Sequence, residues 1–499
     1  MSKTSTHHLE KLLIPKPEAL VESMRAFGYE LETAVADLID NSLTASAKNI
    51  WIDFLWDGEN SSVRLQDDGA GMDQNTVINA MRLGSVSPIK KRASHDLGRF
   101  GLGLKTASFS QCRRLSVRTQ ATKKTMSTWT WDLDHIASTD KWMLIEGCSN
   151  EEELLFCERK IRKHGTIVLW TKLDRLTSGT NVDDENDQQN YLQRAEKVCR
   201  YIGMVFHRFI ENGIAFFVNG ISVEAWDPFM EHNPSTQKLT EETLAPGVTV
   251  TPFVLPHYSK LNQKSHEAAG GIRGWNEHQG FFVYRNKRML VDGHWLGFFI
   301  KEDHYKLARI RIDIPNHLDA EWGIDVKKSK AIPPDYLKKQ LRQIAEKTRK
   351  KAVEIYRFRG AKLTPKGAQG VVFVWEKKVQ HGKVSYEINR KHPVVELVLK
   401  KSNSRESVTR MLRMIEETIP VPLINITNSE SPDSAALPFE TDRKTDILMI
   451  AEEAFESLRA SGLTKQESLD RIYSLDPFYK FPEILQLIKE KYEEKTRKV

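Results

Sequence analysis

Three polar motifs follow one another between residues 37 and 106, and their order constrains the fold more than any other feature of the chain. The first is DLIDNSLTASA, in which Asp37 and Asn41 are four residues apart. At 3.6 residues per turn the two lie on one helical face, so a carboxylate and a carboxamide can point into one pocket. An amide oxygen suits Mg²⁺, and a carboxylate one turn earlier can polarise a water. Alone, such a pair is more typical of a solvated or capping position.

The second motif, DDGAGMD, places Asp67, Gly69 and Gly71 directly after a predicted strand. Glycines at such a point let the backbone turn sharply and let a flat ring approach closely. A buried aspartate there can accept a hydrogen bond from an exocyclic amine, which would select adenine over guanine. The alternative for this motif by itself is an ordinary Asp-Gly hairpin turn.

The third motif, GRFGLGLKTAS, contains Gly98, Gly101 and Gly103, followed by Lys105 and Thr106. Glycines before a helix start free backbone N–H groups for an anion, and the positive end of the helix adds to them. Lys105 supplies a point charge for a phosphate. The motif does not follow a clean strand end, so a dinucleotide-binding loop is excluded, and the G-x-x-x-x-G-K-[ST] spacing does not occur.

With Gly165 and Thr166 in HGTIVLW, these motifs resemble the four signature boxes of the GHKL superfamily, which includes gyrase, heat-shock chaperones, histidine kinases and MutL. The resemblance implies an α+β chain that begins with a Bergerat-type α/β sandwich and binds ATP with Mg²⁺. It assigns nucleotide binding to Asn41, Asp67, Gly69, Gly71, Met72, Gly98, Gly101, Leu102, Gly103, Lys105, Thr106 and Thr166.

By this resemblance Asn41 would be the metal ligand, Asp67 would bind the adenine amine, and Gly71 would lie against the base plane. Thr166 would contact Asp67 and the adenine, directly or through water.

The phosphate end would be covered by an ATP lid over residues 84–97, hinged at residues 98–103, with Lys105 and Thr106 near the phosphates.

Asp37 is a departure from the family pattern, because most GHKL ATPases have glutamate at this position. Aspartate is one methylene shorter, and a displacement of about 1 Å can cost a catalytic group roughly 100-fold in rate. Either the helix lies closer to the nucleotide or turnover is slow. Glu32 is five residues earlier, on another helical face, so Asp37 stays the predicted general base.

Within the superfamily, LKTAS and the residues after it resemble the MutL and microrchidia (MORC) branch. Tyr284 to Leu290 (YRNKRML) resembles a microrchidia strand, and IDVKKSK resembles the MutL segment whose lysine reaches the γ-phosphate. That match predicts Lys330 as a catalytic residue, with Lys327 and Lys328 as alternatives. The resemblance ends near residue 335.

The predicted domains are a GHKL domain over residues 1–177, a transducer-like α/β domain over 190–334, a basic helical/β region over 335–405, and a helical C-terminal region over 406–499. The net charge is +7, whereas residues 335–405 hold 19 Lys/Arg against 6 Asp/Glu, which leaves 7 − 13 = −6 for the rest. Such a block indicates a polyanion such as DNA, although lysines that merely solvate exposed helices give the same count.

Several classes of protein are excluded or disfavoured by the sequence. No apolar run is long enough to span a membrane, and the four cysteines lack zinc or disulfide spacing, so we expect a cytoplasmic protein. A two-component kinase needs a helical hairpin with a phospho-accepting histidine before the ATP domain, and the residues before Asp37 show no such pattern. A type II topoisomerase needs more sequence than follows residue 335.

The sequence therefore predicts an Mg-ATP-dependent clamp that hydrolyses ATP, dimerises when it binds ATP, and acts on DNA. Bacterial relatives of this branch suggest a restriction or phage-defence role. The alternative is an ATP-sensing, dimerising scaffold or chaperone-like module with little or no hydrolysis.

Overall fold

The fold of this chain is given by a computed structural model. The residues that it describes are 13, 15–26, 28–84, 97, 103–158, 161, 163–325, 328, 330–357, 372–380, 383–421, 424, 444–472, 474–478 and 481–494. Contacts divide the chain into two units, Met1–Gly360 and Ala361–Val499. The finer divisions at residues 177, 190, 334 and 405 stay predictions.

An eight-stranded sheet forms the framework of the first half of unit one. Its strands are β1 (Asn49–Leu55), β2 (Ser62–Asp67), β3 (Arg114–Gln120), β4 (Ser127–Asp132), β5 (Ile145–Glu146), β6 (Gly165–Thr171), β7 (Ala215–Val218) and β8 (Ile221–Ser222). They lie in the order β5-β4-β3-β6-β2-β1-β7-β8, and only β1 and β7 pair in parallel. Segments such as NIWIDFL and GTIVLWT form strands because branched and aromatic side chains suit a pleated, buried surface.

The helices that accompany this sheet are α1 (Pro17–Arg25), α2 (Leu31–Thr44), α3 (Gln74–Met81), α4 (Gly103–Gln111), α5 (Leu133–Thr139), α6 (Asn150–Glu158), α7 (Asp174–Thr177), α8 (Glu185–Val205) and α9 (His207–Ile210). In α2, Val35, Leu38 and Ile39 recur at helical spacing and are buried in the core beneath the sheet.

A second sheet follows in the same unit. It contains β9 (Gln237–Lys238), β10 (Glu242–Ala245), β11 (Val248–Val254), β12 (Gly280–Arg285), β13 (Arg288–His294) and β14 (Ala308–Ile314). The order is β10-β11-β14-β12-β13, with β9 paired to β11. The helices of this part are α10 (Gln263–Gly270) and α11 (Asp335–Arg357).

Strand β12 is buried on both faces, which explains its continuous apolar sequence, GFFVYR. Because side chains alternate along a strand, Phe282 and Tyr284 belong to the core of the first sheet, whereas Phe281 and Val283 belong to the core covered by α11. The second sheet is therefore packed directly against the core of the first sheet, next to α8.

The second unit contains the hairpin β15 (Trp375–Gln380) and β16 (Lys383–Ile388) and a group of helices. These are α12 (Pro393–Lys401), α13 (Arg405–Glu417), α14 (Lys444–Ala460), α15 (Lys465–Ile472) and α16 (Pro482–Glu494). Its core lies among α14, α15 and α16, where Phe455, Ile472 and Ile488 are buried. The mixed α+β fold and the helical C-terminal region are as predicted. Among the described residues, no helix combines the length and apolarity needed to cross a membrane.

Candidate functional site

Helix α2 carries the first motif, and its two polar residues have different surroundings. The carboxylate of Asp37 is 2% exposed, whereas Asn41, one turn later, is exposed. The hydroxyl of Tyr29 donates to Oδ2 of Asp37 over 3.1 Å. Burial and the nearby charge of Asp37 raise the pKa of Tyr29 well above its ordinary value, so the phenol stays a donor. A Cβ added at Gly103, the first residue of α4, would lie in ordinary van der Waals contact with Asp37 Oδ2, at 3.5 Å.

Asp67 is the last residue of β2, and each of its two carboxylate oxygens accepts a hydrogen bond. Its Oδ2 accepts from Ser42 Oγ over 2.8 Å and its Oδ1 accepts from the backbone N–H of Gly69 over 2.9 Å. Burial raises the pKa of this carboxyl above its ordinary value. The strand register places Thr166 opposite Asp67, as the predicted contact requires. Ser42, which follows Asn41, therefore ties the first motif to the second.

The glycines of the second and fourth motifs allow close approach of backbone segments. Gly71 has φ +65°, and a Cβ there would lie 1.9 Å from the carbonyl oxygen of Gln120. Gly165 has φ +138°, and its Cβ would lie 2.3 Å from the carbonyl oxygen of Asp67. Only glycine satisfies both the conformation and the space at these two positions.

Next to this loop the backbone N–H of Met72 donates to Thr119 Oγ1 over 2.9 Å, and the hydroxyls of Thr119 and Thr166 lie 3.0 Å apart. Met72 and Thr166 therefore belong to one hydrogen-bonded group, which is joined by Thr119.

The part of the third motif that the structure describes is the helix α4. Lys105 is 2% exposed, and its Nζ donates to the carbonyl oxygen of Ala80 over 2.8 Å. Burial lowers the pKa of this lysine to about 8. Thr106 is fully buried and is hydrogen-bonded to the hydroxyl of Tyr29. Gly98, Gly101 and Leu102 lie outside the described residues, as does most of the predicted lid.

A lysine from beyond the second sheet reaches Asp37, and it is Lys328. Its Nζ lies 3.0 Å from Asp37 Oδ1 and 2.5 Å from Asp40 Oδ2, and its side chain is only 7% exposed. Lys330, the residue favoured by the sequence match, is exposed and lines a separate cleft of about 410 Å³ with Arg273 and Lys301.

The structure thus brings Lys328 to Asp37 and does not bring Lys330 there, while Lys327 lies outside the described residues. Lys328 has φ +53°, a backbone conformation that a pattern match does not reveal.

Two further residues complete a buried cluster of charges that the sequence analysis missed. Asp40 is fully buried, and Arg288 Nε lies 2.9 Å from both of its carboxylate oxygens. The sum of Asp37, Asp40, Lys328 and Arg288 is zero formal charge, as a buried cluster requires. Asp40 and Arg288 stand in motifs that were identified, DLIDN and YRNKRML, but only the folded chain places them together.

Glu32, the other acidic residue of α2, is turned away from this cluster. It forms an ion pair with Lys197 of α8, which supports the choice of Asp37 between the two.

A family model described as histidine kinase-, DNA gyrase B-, and HSP90-like ATPase matches residues 29–166. This segment is similar to the ATPase domains of the GHKL superfamily. It includes Tyr29, Asp37, Asp67 and Thr166, the residues that the geometry joins through α2, β2 and β6. The family so described consists of ATPases, and the GHKL resemblance expected from the sequence is confirmed for residues 29–166.

The chain is also similar in part to a curated protein and, at low similarity, to a solved structure. The ATPase morc-1 of Caenorhabditis elegans is 34% identical over 88 residues, which cover 18% of this chain and 10% of that protein. The chain thus matches about a tenth of that relative's length. The solved N-terminal domain of a DNA repair protein is 16% identical with a TM-score of 0.42, covering 69% of this chain and 100% of that one.

Proposed function

We propose that this protein is an Mg-ATP-dependent switch that hydrolyses ATP. The observation that carries the proposal is the contact of Asp37 with Lys328, 3.0 Å apart, on the helix whose Ser42 also holds Asp67. One helix thus links a residue suited to the adenine with a residue suited to the hydrolytic water. The lysine comes from beyond the second sheet, so the second sheet can respond to the nucleotide.

At the base end, Asp67 would accept the exocyclic amine of adenine. Ser42 and the Gly69 N–H already fix its orientation, and guanine would present a carbonyl oxygen at the same place, which a carboxylate rejects. The glycine at position 71 would let the flat base lie against the backbone, because a side chain there has no room.

At the phosphate end, Asp37 would act as general base towards the attacking water. Asn41 fits a magnesium ligand, since its carboxamide is exposed one turn from Asp37 and Mg²⁺ needs few protein ligands besides phosphates and waters. Bound Mg²⁺ would neutralise charge on the phosphates. Lys105 and Thr106, at the start of α4, would add a cation and a hydroxyl beside them.

The position of Lys328 supports a clamp that responds to the nucleotide. A γ-phosphate would compete with Asp37 and Asp40 for its ammonium group, whereas ADP lacks the competing group. ATP would therefore favour a different arrangement of the second sheet from that favoured by ADP, as a two-state switch requires. We propose that the ATP-bound form is a homodimer, which multi-angle light scattering with and without a non-hydrolysable analogue measures.

The test of hydrolysis is phosphate release by purified full-length protein and by Asp37→Asn. Loss of at least about 100-fold in rate with ATP binding retained supports the general base. Asp140→Asn is the matched control, since it makes the same change at an exposed aspartate of the GHKL domain. Equal rates for wild type and Asp37→Asn would refute the assignment.

A DNA client is proposed from the exposed face of α11. The helix buries Leu337, Leu341 and Ile344 against the second sheet, so its cationic face is turned outward. The outer lysines of α11 are Lys339, Lys347 and Lys350, which are exposed and for which the described residues show no ion pair.

Replacement of the outer lysines of α11 by glutamine tests this client. By counterion release, the slope of log affinity against log salt should become shallower by about 3. Lys338→Gln/Arg342→Gln is the control, because these two cations are paired with Asp335 and Glu346 on the same helix. An unchanged slope, or no DNA binding by the wild type, would remove the DNA client.

A second candidate is an ATP-sensing scaffold with little or no turnover, and the specific observation in its favour is the short Asp37 side chain engaged by Lys328. Binding of ATP and dimerisation without phosphate release would establish it. A restriction or phage-defence role rests on the resemblance alone, and plaque counts in cells carrying wild type or Asp67→Asn test it.

A further inference from the structure

The hairpin β12–β13 has a buried arginine on each side of its turn. Arg285 and Arg288 are paired in register on either side of the turn, and the two turn residues, Asn286 and Lys287, have φ +48° and +71°. Two-residue hairpin turns need positive φ to match the twist of the strands. The arginines are 2% and 1% exposed, so both guanidinium groups are committed to the interior.

Arg285 anchors the hairpin. It forms a two-point ion pair with Asp319, with distances of 2.7 and 2.8 Å, and it donates to the carbonyl oxygen of Leu97 over 3.0 Å. These contacts engage all three guanidinium nitrogens of Arg285. The position of the neighbouring Arg288 is thereby fixed as well, because only the two turn residues separate the two arginines.

Arg288 differs from Arg285 because one of its donors is unused. Its Nε is shared between both oxygens of Asp40, at 2.9 Å, and its Nη1 donates to the backbone oxygen of Met289 over 3.2 Å. Its Nη2 is buried and has no hydrogen-bond partner among the described residues. A buried donor of this kind is costly and calls for a reason.

Lys328 supplies the reason. Oδ2 of Asp40 accepts from Lys328 Nζ over 2.5 Å, and this contact keeps the carboxylate from forming a two-point pair with the guanidinium. Nη2 lies on the same side of the guanidinium as the Nε–H, so a small rotation of the carboxylate would give the parallel, bidentate arrangement that is the strongest arginine–carboxylate contact. That rotation becomes possible when Lys328 leaves.

We propose that Arg288 and Asp40 are positioning residues that exchange partners with Lys328: when the lysine moves to the third phosphate of bound ATP, Asp40 forms a bidentate pair with Arg288. The proposal rests on the proposed function and deepens it by explaining how the cost of the lysine's departure is offset. Without the exchange, the departing ammonium would leave Asp40 with a single shared donor in a buried site. The exchange happens only with a triphosphate, so Arg288 contributes to the discrimination between ATP and ADP.

The experiment measures the affinities of the full chain for Mg-ADP and for Mg with the β,γ-imido analogue of ATP, by titration calorimetry. Arg288→Lys keeps the charge and removes the second parallel donor. We expect the preference for the analogue over ADP to fall about tenfold, with ADP affinity within about twofold of the wild type. In a Lys328→Met background the same change should have no further effect, because no lysine leaves.

Asp40→Asn protects the test against a variant that merely folds badly. It removes the carboxylate that exchanges partners, so Arg288→Lys should have no further effect on the preference in the Asp40→Asn background. Arg288→Lys acting equally on both nucleotides, or lowering the preference undiminished in the Lys328→Met or the Asp40→Asn background, would each overturn the exchange. A wild type with no preference for the analogue would instead overturn the proposed function.

Discussion

Replacement of Lys328 by methionine should destabilise the first unit by an amount that can be worked out from its contacts. The lysine is the shared partner of Asp37 and Asp40, and its loss leaves a buried cluster with one uncompensated negative charge. Breaking a buried ion pair by removing one partner typically costs about 3 to 5 kcal/mol. Lys330 is exposed, so Lys330→Met is the matched control.

The expected change in melting temperature follows from the size of the unit. Unit one runs to Gly360, and at about 2.1 cal/mol/K per residue its unfolding entropy is about 0.8 kcal/mol/K. Lys328→Met should therefore lower Tm by about 4 to 6 °C, and Lys330→Met by less than about 1 °C. The assay is thermal unfolding of the full chain, followed by the fluorescence of its buried tryptophans, among them Trp170 and Trp322.

A compensating variant tests the charge argument itself. Lys328→Met/Asp40→Asn restores the formal charge of the cluster to zero and should recover at least half of the lost Tm. Equal Tm values for Lys328→Met and Lys330→Met would show that the lysine is not held in the buried cluster. A double variant less stable than Lys328→Met alone would refute the charge balance as the cause.

Three further predictions concern the loop, the buried lysine and the basic helix. Gly71→Ala should destabilise the protein by at least about 2 kcal/mol and weaken ATP binding. Gly84 has φ +69° and open space around it, so Gly84→Ala should cost only backbone strain of about 1 kcal/mol. Denaturation measures the stability of the two variants, and calorimetry measures their ATP affinity. Because the pKa of Lys105 is about 8, ATP affinity should be constant below that pH and fall above it by up to about tenfold per pH unit. Titrations of ATP binding between about pH 7 and 9.5 measure this dependence, and Lys105→Met should abolish it. Glutamine at all three outer lysines of α11 should weaken DNA binding of any sequence alike, as fluorescence anisotropy with two unrelated duplexes would show.

Much of the nucleotide-binding layer could be predicted because its signals are local. The helical spacing of Asp37 and Asn41, the glycines that follow Asp67, and the order of the motifs each reflect a constraint within a few residues of chain. The predicted pairing of Thr166 with Asp67 extends further, but it came from the family resemblance and not from the local pattern.

The charge cluster could not be predicted in the same way. Asp40 and Arg288 are 248 residues apart, and their contact depends on how the second sheet packs against the first layer. The choice of Lys328 over Lys330 could not be made from spacing either, because three candidate lysines stand within four residues and Lys328 has a positive φ. Long-range packing and single backbone conformations leave little trace in residue spacing.

The measurement that tests the central claim most directly is calorimetric titration of the full chain with Mg-ATP and Mg-GTP, for wild type and for Asp67→Asn. The wild type should bind one ATP per chain and bind GTP at least about 100-fold more weakly, and Asp67→Asn should lose most of that difference. A wild type without affinity for Mg-ATP, or with equal affinity for the two nucleotides, would contradict the account.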